Sequence, residues 1–418
     1  RFHHDFETYC DLDITKVGSD AYSRHPSCEP LMLAYGLDDC PVVQWLPAEG
    51  EEMPSDLAEI MADPNAMKFA WNKPFEWGIW ANALGIVTDH EGWRDPMVMA
   101  FSLSLPGKLE KAGEVVDLPD DMQKMKRGKL LIKKFCSPRK PTKTKPNTRN
   151  MPEDFPEDWE EFKLYNRTDV EAERGIYKRI KRFDMSQEEW DLWVIDQKIN
   201  QAGIPINMRY VRNAITVFSD LVKKRLDRMR ELTGLDNPNS TEQLLPWLKE
   251  FGYPFDDCKK GHIERGRDKL KQQFEDNEFG LDERAEMEIV LEVLELRLDT
   301  SKSSPKKYSA LNRACHKSGN TGVLRNAFQF AGAGRTWRWA GRLFQAQNLP
   351  RPATKFLEKN IHMVARHLEF VDAEGLELVY DKPMDVLTSG IRPAAQAPEG
   401  YVFIDADLNA IENRVLGW

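Results

Sequence analysis

The pattern of apolar and polar residues is typical of strands near the start of the chain and of helices farther on. Four short apolar runs predict β-strands: 1–8, Leu31–Asp38, Pro41–Leu46 and Ala66–Trp71. Helical spacing begins at Pro74, a residue well suited to the first turn of a helix, and continues over Met97–Leu105 and Trp159–Phe183. Strands followed by helices in this order predict an α/β domain.

The character of the chain changes after Asp184. Helical periodicity dominates up to Asp299 and includes the long amphipathic segment Met208–Leu235, which predicts an elongated helical region. From Gly322 the pattern turns back toward strands, and Tyr401–Ala406 predicts a buried strand. The sequence is therefore divided into three predicted domains: 1–184, 185–321 and 322–418.

The basic residues are concentrated in two long stretches, although the net charge is −9. Met122–Arg149 and Ser301–Leu357 each contain eleven Lys or Arg and no acidic residue, whereas acidic residues crowd into Pro152–Glu161 and Asp276–Glu295. One such stretch is more often a solvated face. Two of them in an acidic protein indicate grooves for a polyanion such as DNA.

Several classes of protein are disfavoured by the sequence. There is no run of about 18 apolar residues, so we expect no membrane partner. The amino end has no charged-then-apolar leader. The six cysteines are scattered without a CxxC pair, which is typical of reduced thiols in a cytoplasmic protein and argues against structural zinc.

Three pairs of polar residues have spacings that place both members on one side of their element. The pairs are Asp5 with Glu7, Asn72 with Glu76, and Tyr165 with Asp169. Residues two apart share a strand face and residues four apart share a helix face. If the pairs converge, they supply hard oxygen ligands suited to Mg²⁺ or Mn²⁺, and two such ions can catalyse phosphodiester hydrolysis. Any one pair alone is a common surface feature.

In order and spacing, the three pairs resemble the motifs of DEDD exonucleases of the RNase H-like superfamily, in the form with Tyr in the third motif. The resemblance implies that Asp5, Glu7 and Asp169 bind the metal ions and that Tyr165 orients the attacking water. The second motif usually ends in Asp, whereas this chain has Glu76. Either the longer side chain still serves the site, or Asp95 supports it.

A Gly-, Arg- and Trp-rich segment, Gly332–Leu343, is expected to bind an anion. Its glycines allow close approach of the backbone, and Arg335, Arg338 and Arg342 can bind phosphate. Its Trp residues could stack on bases or belong to a core, and the sequence leaves both interpretations open.

The last residues resemble motif A of family A (DNA polymerase I-like) polymerases, in the segment from Asp407 to Arg414. The resemblance implies a metal-binding role for Asp407 and a gate against the ribose 2′-hydroxyl at Glu412. Gly341-Arg342-Leu343 with Gln347-Asn348-Leu349-Pro350 is similar to the family's minor-groove element. Lys302 lies where the thumb of relatives meets the duplex.

These resemblances imply a phage-type family A DNA polymerase with an RNase H-like 3′→5′ exonuclease domain, a mostly helical thumb and the start of a palm. They imply two Mg²⁺ or Mn²⁺ ions per active site, and primer–template DNA and single-stranded 3′ ends as ligands. Because no fingers helix or second palm motif follows, we expect a second polypeptide or a C-terminal segment to complete the polymerase before it uses deoxynucleoside triphosphates. The expected location is the cytoplasm of a bacterial host. The alternatives are a non-catalytic DNA-binding subunit, silenced at Glu76, and an RNA-processing exonuclease.

Overall fold

The computed structural model describes residues 1–119, 127–143, 147–276, 281–334 and 336–418, with the backbone alone at 281–283. The helices and strands up to residue 202 are β1 (Phe2–Tyr9), α1 (Ile14–Ser23), β2 (Glu29–Leu37), β3 (Val43–Trp45), α2 (Ser55–Ala62), β4 (Lys68–Phe69), α3 (Lys73–Gly78), β5 (Trp93–Arg94), α4 (Pro96–Ser102), α5 (Leu109–Val115), α6 (Gly128–Phe135), α7 (Pro156–Ile180) and α8 (Gln187–Ala202).

The remaining elements are β6 (Ile204–Asn207), α9 (Met208–Thr233), α10 (Thr241–Glu250), α11 (Lys260–Glu275), α12 (Leu281–Thr300), α13 (Lys306–Ala314), β7 (His316–Ser318), β8 (Thr321–Leu324), β9 (Phe328–Ala333), β10 (Arg338–Gly341), α14 (Lys355–Lys359), α15 (Ile361–Phe370), α16 (Ala373–Val379), α17 (Pro383–Ser389) and α18 (Ile411–Gly417). The fold is therefore mixed α/β, as predicted.

The chain packs into two compact units. The first unit comprises Arg1–Ile204, Arg313–Ser318 and Gly322–Asn348. The second unit comprises Pro205–Asn312, Gly319–Thr321 and Leu349–Trp418. The predicted domain boundaries at 184 and 321 were drawn from changes in the hydrophobic pattern and stay a prediction.

A five-stranded mixed sheet forms the centre of the first unit, in the order β3-β2-β1-β4-β5. β1 is antiparallel to β2, and β2 to β3, whereas β4 is parallel to both β1 and β5. The four strands predicted before residue 72 are confirmed. α7 packs across β1 and β2 and places its buried residues over them.

The start of α3 is anchored by a lysine inside the aromatic core of the first unit. Lys73 is 1% exposed, and its Nζ lies 5.3–5.8 Å from the ring centroids of Trp77, Trp93 and Trp193. Nζ also lies 2.6 Å from Nδ1 of His90 and donates to Oε1 of Gln197 at 3.2 Å. Burial lowers the pKa of Lys73 well below its usual value. These contacts hold the segment that carries the second motif.

The second unit is built around α9, which confirms the long helix predicted from Met208. α12, α15, α16 and α17 all pack against α9. A separate apolar core joins the carboxyl end of α9 to α10, α11 and α12 through Met229, Leu244, Leu270 and Val293. None of the helices in the described ranges is both long and apolar enough to cross a membrane.

The buried strand predicted at Tyr401–Ala406 is wrong. This segment has no regular secondary structure, and Val402 and Ile404 are 80% and 90% exposed. Backbone N–H and C=O groups of a strand need a paired neighbour. No strand in the described part of the chain pairs with this segment, so its β propensity has no sheet to join. The strands expected after Gly322 are present as β8, β9 and β10.

Candidate metal centre

β1 places two carboxylates on one face of the sheet. Asp5 and Glu7 are two residues apart, so both side chains leave the strand on the same side. β2 pairs with β1 along its whole length, but β4 pairs with it only at Phe2 and His3. The edge of β1 beyond His3 is therefore open to side chains from elsewhere in the unit.

α7 brings the third carboxylate to this face. Tyr165 and Asp169 lie one helical turn apart and are 1% and 5% exposed. One oxygen each of Asp5, Glu7 and Asp169 lies within 4.8 Å of the others. Among the described residues, this is the one group of three His, Cys, Asp or Glu side chains so arranged. The three residues predicted as metal ligands of the first site thus converge.

The chemistry of this group fits a divalent cation. Three carboxylates in a partly buried place repel one another unless a cation lies between them. Oxygen ligands of this kind suit Mg²⁺ or Mn²⁺, whereas the absence of His and Cys from the group disfavours zinc. The residues present could therefore hold the ions that the sequence resemblance implies.

Tyr165 keeps its proton in this environment. Burial raises the pKa of Tyr165, and the charges of Glu7, Asp169 and Asp5 raise it further, together with a hydrogen bond to Asp169. Gly128, the first residue of α6, lies directly against the ring of Tyr165: a Cβ there would be 2.6 Å from Cδ2. The phenol is a neutral hydrogen-bonding group whose position depends on that glycine.

Glu76 lies near the three carboxylates but is not part of their group. Its side chain is 2% exposed, and Oε2 accepts a hydrogen bond from the Phe6 amide at 3.1 Å. Glu76 thereby supplies a hydrogen-bond acceptor for the Phe6 amide of β1, because β4 pairs with β1 only as far as His3. Burial raises the pKa of Glu76 well above its usual value, with Asp5 adding to the effect. Burial and the neighbouring Asp5 carboxylate thus both disfavour the ionised form of Glu76.

Asp95 holds the backbone of the second motif through hydrogen bonds to the amides of Asn72 and Lys73. It is the N-cap of α4 and is 1% exposed. Its carboxylate accepts from the amides of Asn72 at 3.1 Å, Lys73 at 3.0 Å and Met97 at 3.0 Å. Burial raises the pKa of Asp95 to about 7. The hydrogen bonds hold Asn72 in a left-handed conformation, with φ of 69°, just before α3 begins.

Three residues near the ligands were not identified from the sequence. Asn166 is fully buried and donates to both the backbone O and Oδ2 of Asp5 at 3.0 Å. Gln44 donates to Oδ1 of Asn166 at 3.1 Å. The Cys136 thiol lies 3.6 Å from Oε2 of Glu7 and donates to it. Asn166 lies between Tyr165 and Asp169 of the third motif, but Gln44 and Cys136 carried no signal in the sequence.

The Gly-, Arg- and Trp-rich segment forms the β9–β10 hairpin in the first unit. Arg338 and Arg342 are exposed on it, as are the predicted DNA contacts Gln347 and Asn348 in the turn that follows. Trp339 is 47% exposed, so it is not a core residue, and its Nε1 donates to Asp196 at 2.8 Å. Arg335 lies outside the described residues.

The predicted motif A residues and Lys302 lie in the second unit. Asp407, Glu412 and Arg414 are all exposed, and the last two belong to α18. Asp407 is not part of any metal-type group in the described ranges. Lys302 is half-buried and donates to Asp299 at 2.9 Å and Asp385 at 2.7 Å. The DNA contact predicted for Lys302 and the roles predicted for the motif A residues stay predictions.

Comparison with known proteins gives one strong match in sequence. No model of a protein family matches the chain. A DNA polymerase of Bacillus phage SP02 is 37% identical over 416 residues, which is 99% of this chain and 60% of that protein. The chain therefore spans about 60% of the length of this curated relative.

A weaker likeness exists to a solved structure. The POL domain of Pol1 from M. smegmatis, in complex with DNA primer-template and dNTP, has a TM-score of 0.46 and 14% identity, over 85% of this chain and 53% of the other. The sequence match instead runs through the exonuclease-like and the motif A-like segments alike. By that match, the chain is similar to the DNA polymerase of phage SP02 over nearly its whole length.

Proposed function

We propose that this chain is a metal-dependent 3′→5′ exonuclease acting on DNA and that it forms part of a family A DNA polymerase. The observation that carries the nuclease proposal is the convergence of Asp5, Glu7 and Asp169, from β1 and α7, within 4.8 Å. The polymerase proposal is supported by the 37% identity to the phage protein, together with the motif A-like residues from Asp407 to Arg414.

The carboxylates, Tyr165 and Asn166 would have different roles in phosphodiester hydrolysis. Asp5, Glu7 and Asp169 would hold two Mg²⁺ or Mn²⁺ ions, which would activate water and stabilise the leaving oxygen. The neutral Tyr165 hydroxyl would orient the attacking water through a hydrogen bond. Asn166 holds the Asp5 carboxylate in place by donating to Oδ2 and to the backbone oxygen.

The nuclease proposal is tested with a primer–template labelled at the 3′ end of the primer. We expect the chain to shorten the primer in Mg²⁺, and Asp5→Ala to reduce this to background with an unchanged circular dichroism spectrum. No shortening by the parent chain would contradict the proposal. Shortening that survives Asp5→Ala would assign the activity to another site or to a contaminant.

A second candidate function is non-catalytic DNA binding. It is favoured by Glu76, which stands where the second motif usually has Asp and is engaged with the Phe6 amide. In that case the parent chain would bind the primer–template without shortening it. Under either function, Arg338→Gln and Arg342→Gln should each weaken binding of the chain to the primer–template. Each substitution should also reduce the slope of log K against log salt concentration by about one.

A further inference from the structure

A groove of about 690 Å³ lies on the first unit, at the carboxyl end of α7. Leu103, Leu105, Val116 and Ile180 are its more buried lining residues and form the floor. All four belong to the main apolar core of the unit or pack against it, so the floor is held in place from beneath. None of them belongs to the carboxylate group. The groove is thus a preformed apolar surface apart from the candidate metal centre.

The rim of the groove is basic. The segment Lys178–Phe183 contains four Lys or Arg in six residues. Lys178, Arg179 and Arg182 from this segment line the groove. Cations near the carboxyl end of a helix are common, because the helix dipole favours them. The question is therefore whether acidic side chains of this chain already neutralise them.

Most of this positive charge has no carboxylate partner. Lys178 pairs with Asp39 at 2.6 Å. Arg179 donates to a backbone oxygen, which is a neutral group. Cζ of Arg182 lies 4.6 Å from the ring centroid of Phe183, which is 53% exposed. Among the residues that the structure describes, no carboxylate pairs with Arg179 or Arg182. The rim can therefore accept anionic groups from another molecule.

The floor distinguishes between the two polyanions that could bind there, a nucleic acid and an acidic peptide. Unpaired bases bind by stacking on aromatic side chains. The floor is aliphatic, and the ring of Phe183 on the rim already lies against the Arg182 guanidinium. Aliphatic surface suits the apolar side chains of a peptide, which act as anchors when they enter a pocket. The lining therefore favours the peptide.

The position of the groove supports the same choice. Asp169 and Ile180 are both on α7, and the eleven residues from one to the other span about 16 Å of helix. A DNA end held at the carboxylate group therefore does not have to reach the groove.

We infer that this groove binds an acidic peptide segment of a partner protein, with apolar side chains on the floor and carboxylates at Arg179 and Arg182. A guanidinium matches a carboxylate through two parallel N–H donors. The volume of the groove lies within the range of ligand sites, so it holds a few side chains and not a whole domain. The inference depends on the first unit alone and goes beyond the proposed function, which concerns the carboxylate group.

The test measures binding of a defined peptide to the full chain. The probe is a fluorescein-labelled peptide of six Asp and two Leu residues, and its binding is followed by fluorescence polarisation. We expect the parent chain to bind it. The same peptide with Ser in place of Leu should bind about tenfold more weakly, because the floor then lacks an apolar anchor. Phe183→Ala removes exposed apolar surface from the rim and should weaken binding of the Leu peptide by about fivefold.

Matched charge variants locate the bound peptide. Arg182→Glu, at an exposed position on the rim, should weaken binding by about tenfold, because an attraction becomes a repulsion. Lys133→Glu makes the same change of charge at an exposed position on α6, outside the lining of the groove. It should change binding by less than about twofold, since salt screens charges that are far from the peptide. Circular dichroism checks that both variants are folded.

Four results of this assay would overturn the inference. The first is no binding of the peptide by the parent chain, and the second is equal binding of the Leu and Ser peptides. The third is an equal effect of Arg182→Glu and Lys133→Glu. The fourth is displacement of the peptide by a single-stranded oligonucleotide of equal charge, which would assign the groove to nucleic acid.

This chain also contains an acidic segment close in sequence to the groove. Asp120 and Asp121 precede Met122 in a stretch that lies outside the described residues. We expect Asp120→Asn together with Asp121→Asn to leave peptide binding unchanged. Binding that becomes about tenfold tighter in this variant would assign the groove to the chain's own segment and overturn the assignment to a partner. Because no step of the assay involves cleavage, its outcome and that of the primer-shortening assay are independent.

Discussion

Gly128→Ala is expected to reduce nuclease activity without unfolding the protein. Gly128 begins α6, where alanine is a better helix former than glycine, so the substitution by itself favours the helix. The added methyl group, however, points into the ring of Tyr165, whose hydroxyl is influenced by the nearby carboxylates of Glu7 and Asp169. Gly128→Ala is therefore expected to act by displacing the Tyr165 hydroxyl.

The size of the effect follows from the contact distances. The new Cβ would lie 2.6 Å from Cδ2 of Tyr165, whereas ordinary contacts begin near 3.4 Å. Cε2 of the ring would be nearer still, so the ring or the start of α6 must give way by more than about 0.8 Å. Overpacking of this kind costs about 1–3 kcal/mol of stability. A displacement of about 1 Å at a positioning group can lower a rate by about 100-fold. We expect a loss between about tenfold and 100-fold.

The assay is release of the 3′ nucleotide under single-turnover conditions at saturating Mg²⁺. Tyr165→Phe gives the rate without the hydroxyl. Gly261→Ala is the matched control, because Gly261 also lies in the first turn of a helix and has open space around it. Parent-like cleavage by folded Gly128→Ala would refute the reasoning. If Gly128→Ala cleaves slowly while Tyr165→Phe cleaves at the parent rate, the loss in Gly128→Ala comes from displaced carboxylates and not from the Tyr165 hydroxyl.

Three further outcomes are expected from the same structure. Glu76→Gln keeps an acceptor for the Phe6 amide and should retain about tenfold more nuclease activity than Glu76→Ala; equal losses would mean that the negative charge is required. Asn166→Ala releases the Asp5 carboxylate and should raise the Mg²⁺ concentration for half-maximal rate by about 10–100-fold, and an unchanged Mg²⁺ titration would exclude this positioning role. Burial lowers the pKa of His4 from its usual 6.5 to about 3, so the unfolded chain binds a proton that the folded one does not, and stability falls as the pH drops from 6.5 towards 3. In urea unfolding, His4→Gln should flatten this dependence by about 1.4 kcal/mol per pH unit; an identical slope would contradict it.

The sequence by itself determined the features that depend on local geometry. The two-residue spacing of Asp5 and Glu7 sets a common strand face, and the four-residue spacing of Tyr165 and Asp169 sets a common helix face, whatever surrounds them. Short apolar runs also predicted β1 to β4, and helical periodicity predicted α7 and α9. These features were enough to predict the three carboxylates that converge in the structure.

Tertiary structure alone decided the partners of each element and which backbone groups were left over. Glu76 bonds the Phe6 amide because β4 ends at Phe69, and Asn166 reaches Asp5 because α7 crosses β1; both depend on long-range packing. The segment Tyr401–Ala406 has the composition of a strand but no strand beside it, so it stays exposed. Spacing along the chain defines faces, whereas hydrogen-bond pairing and burial are properties of the neighbours that those faces meet.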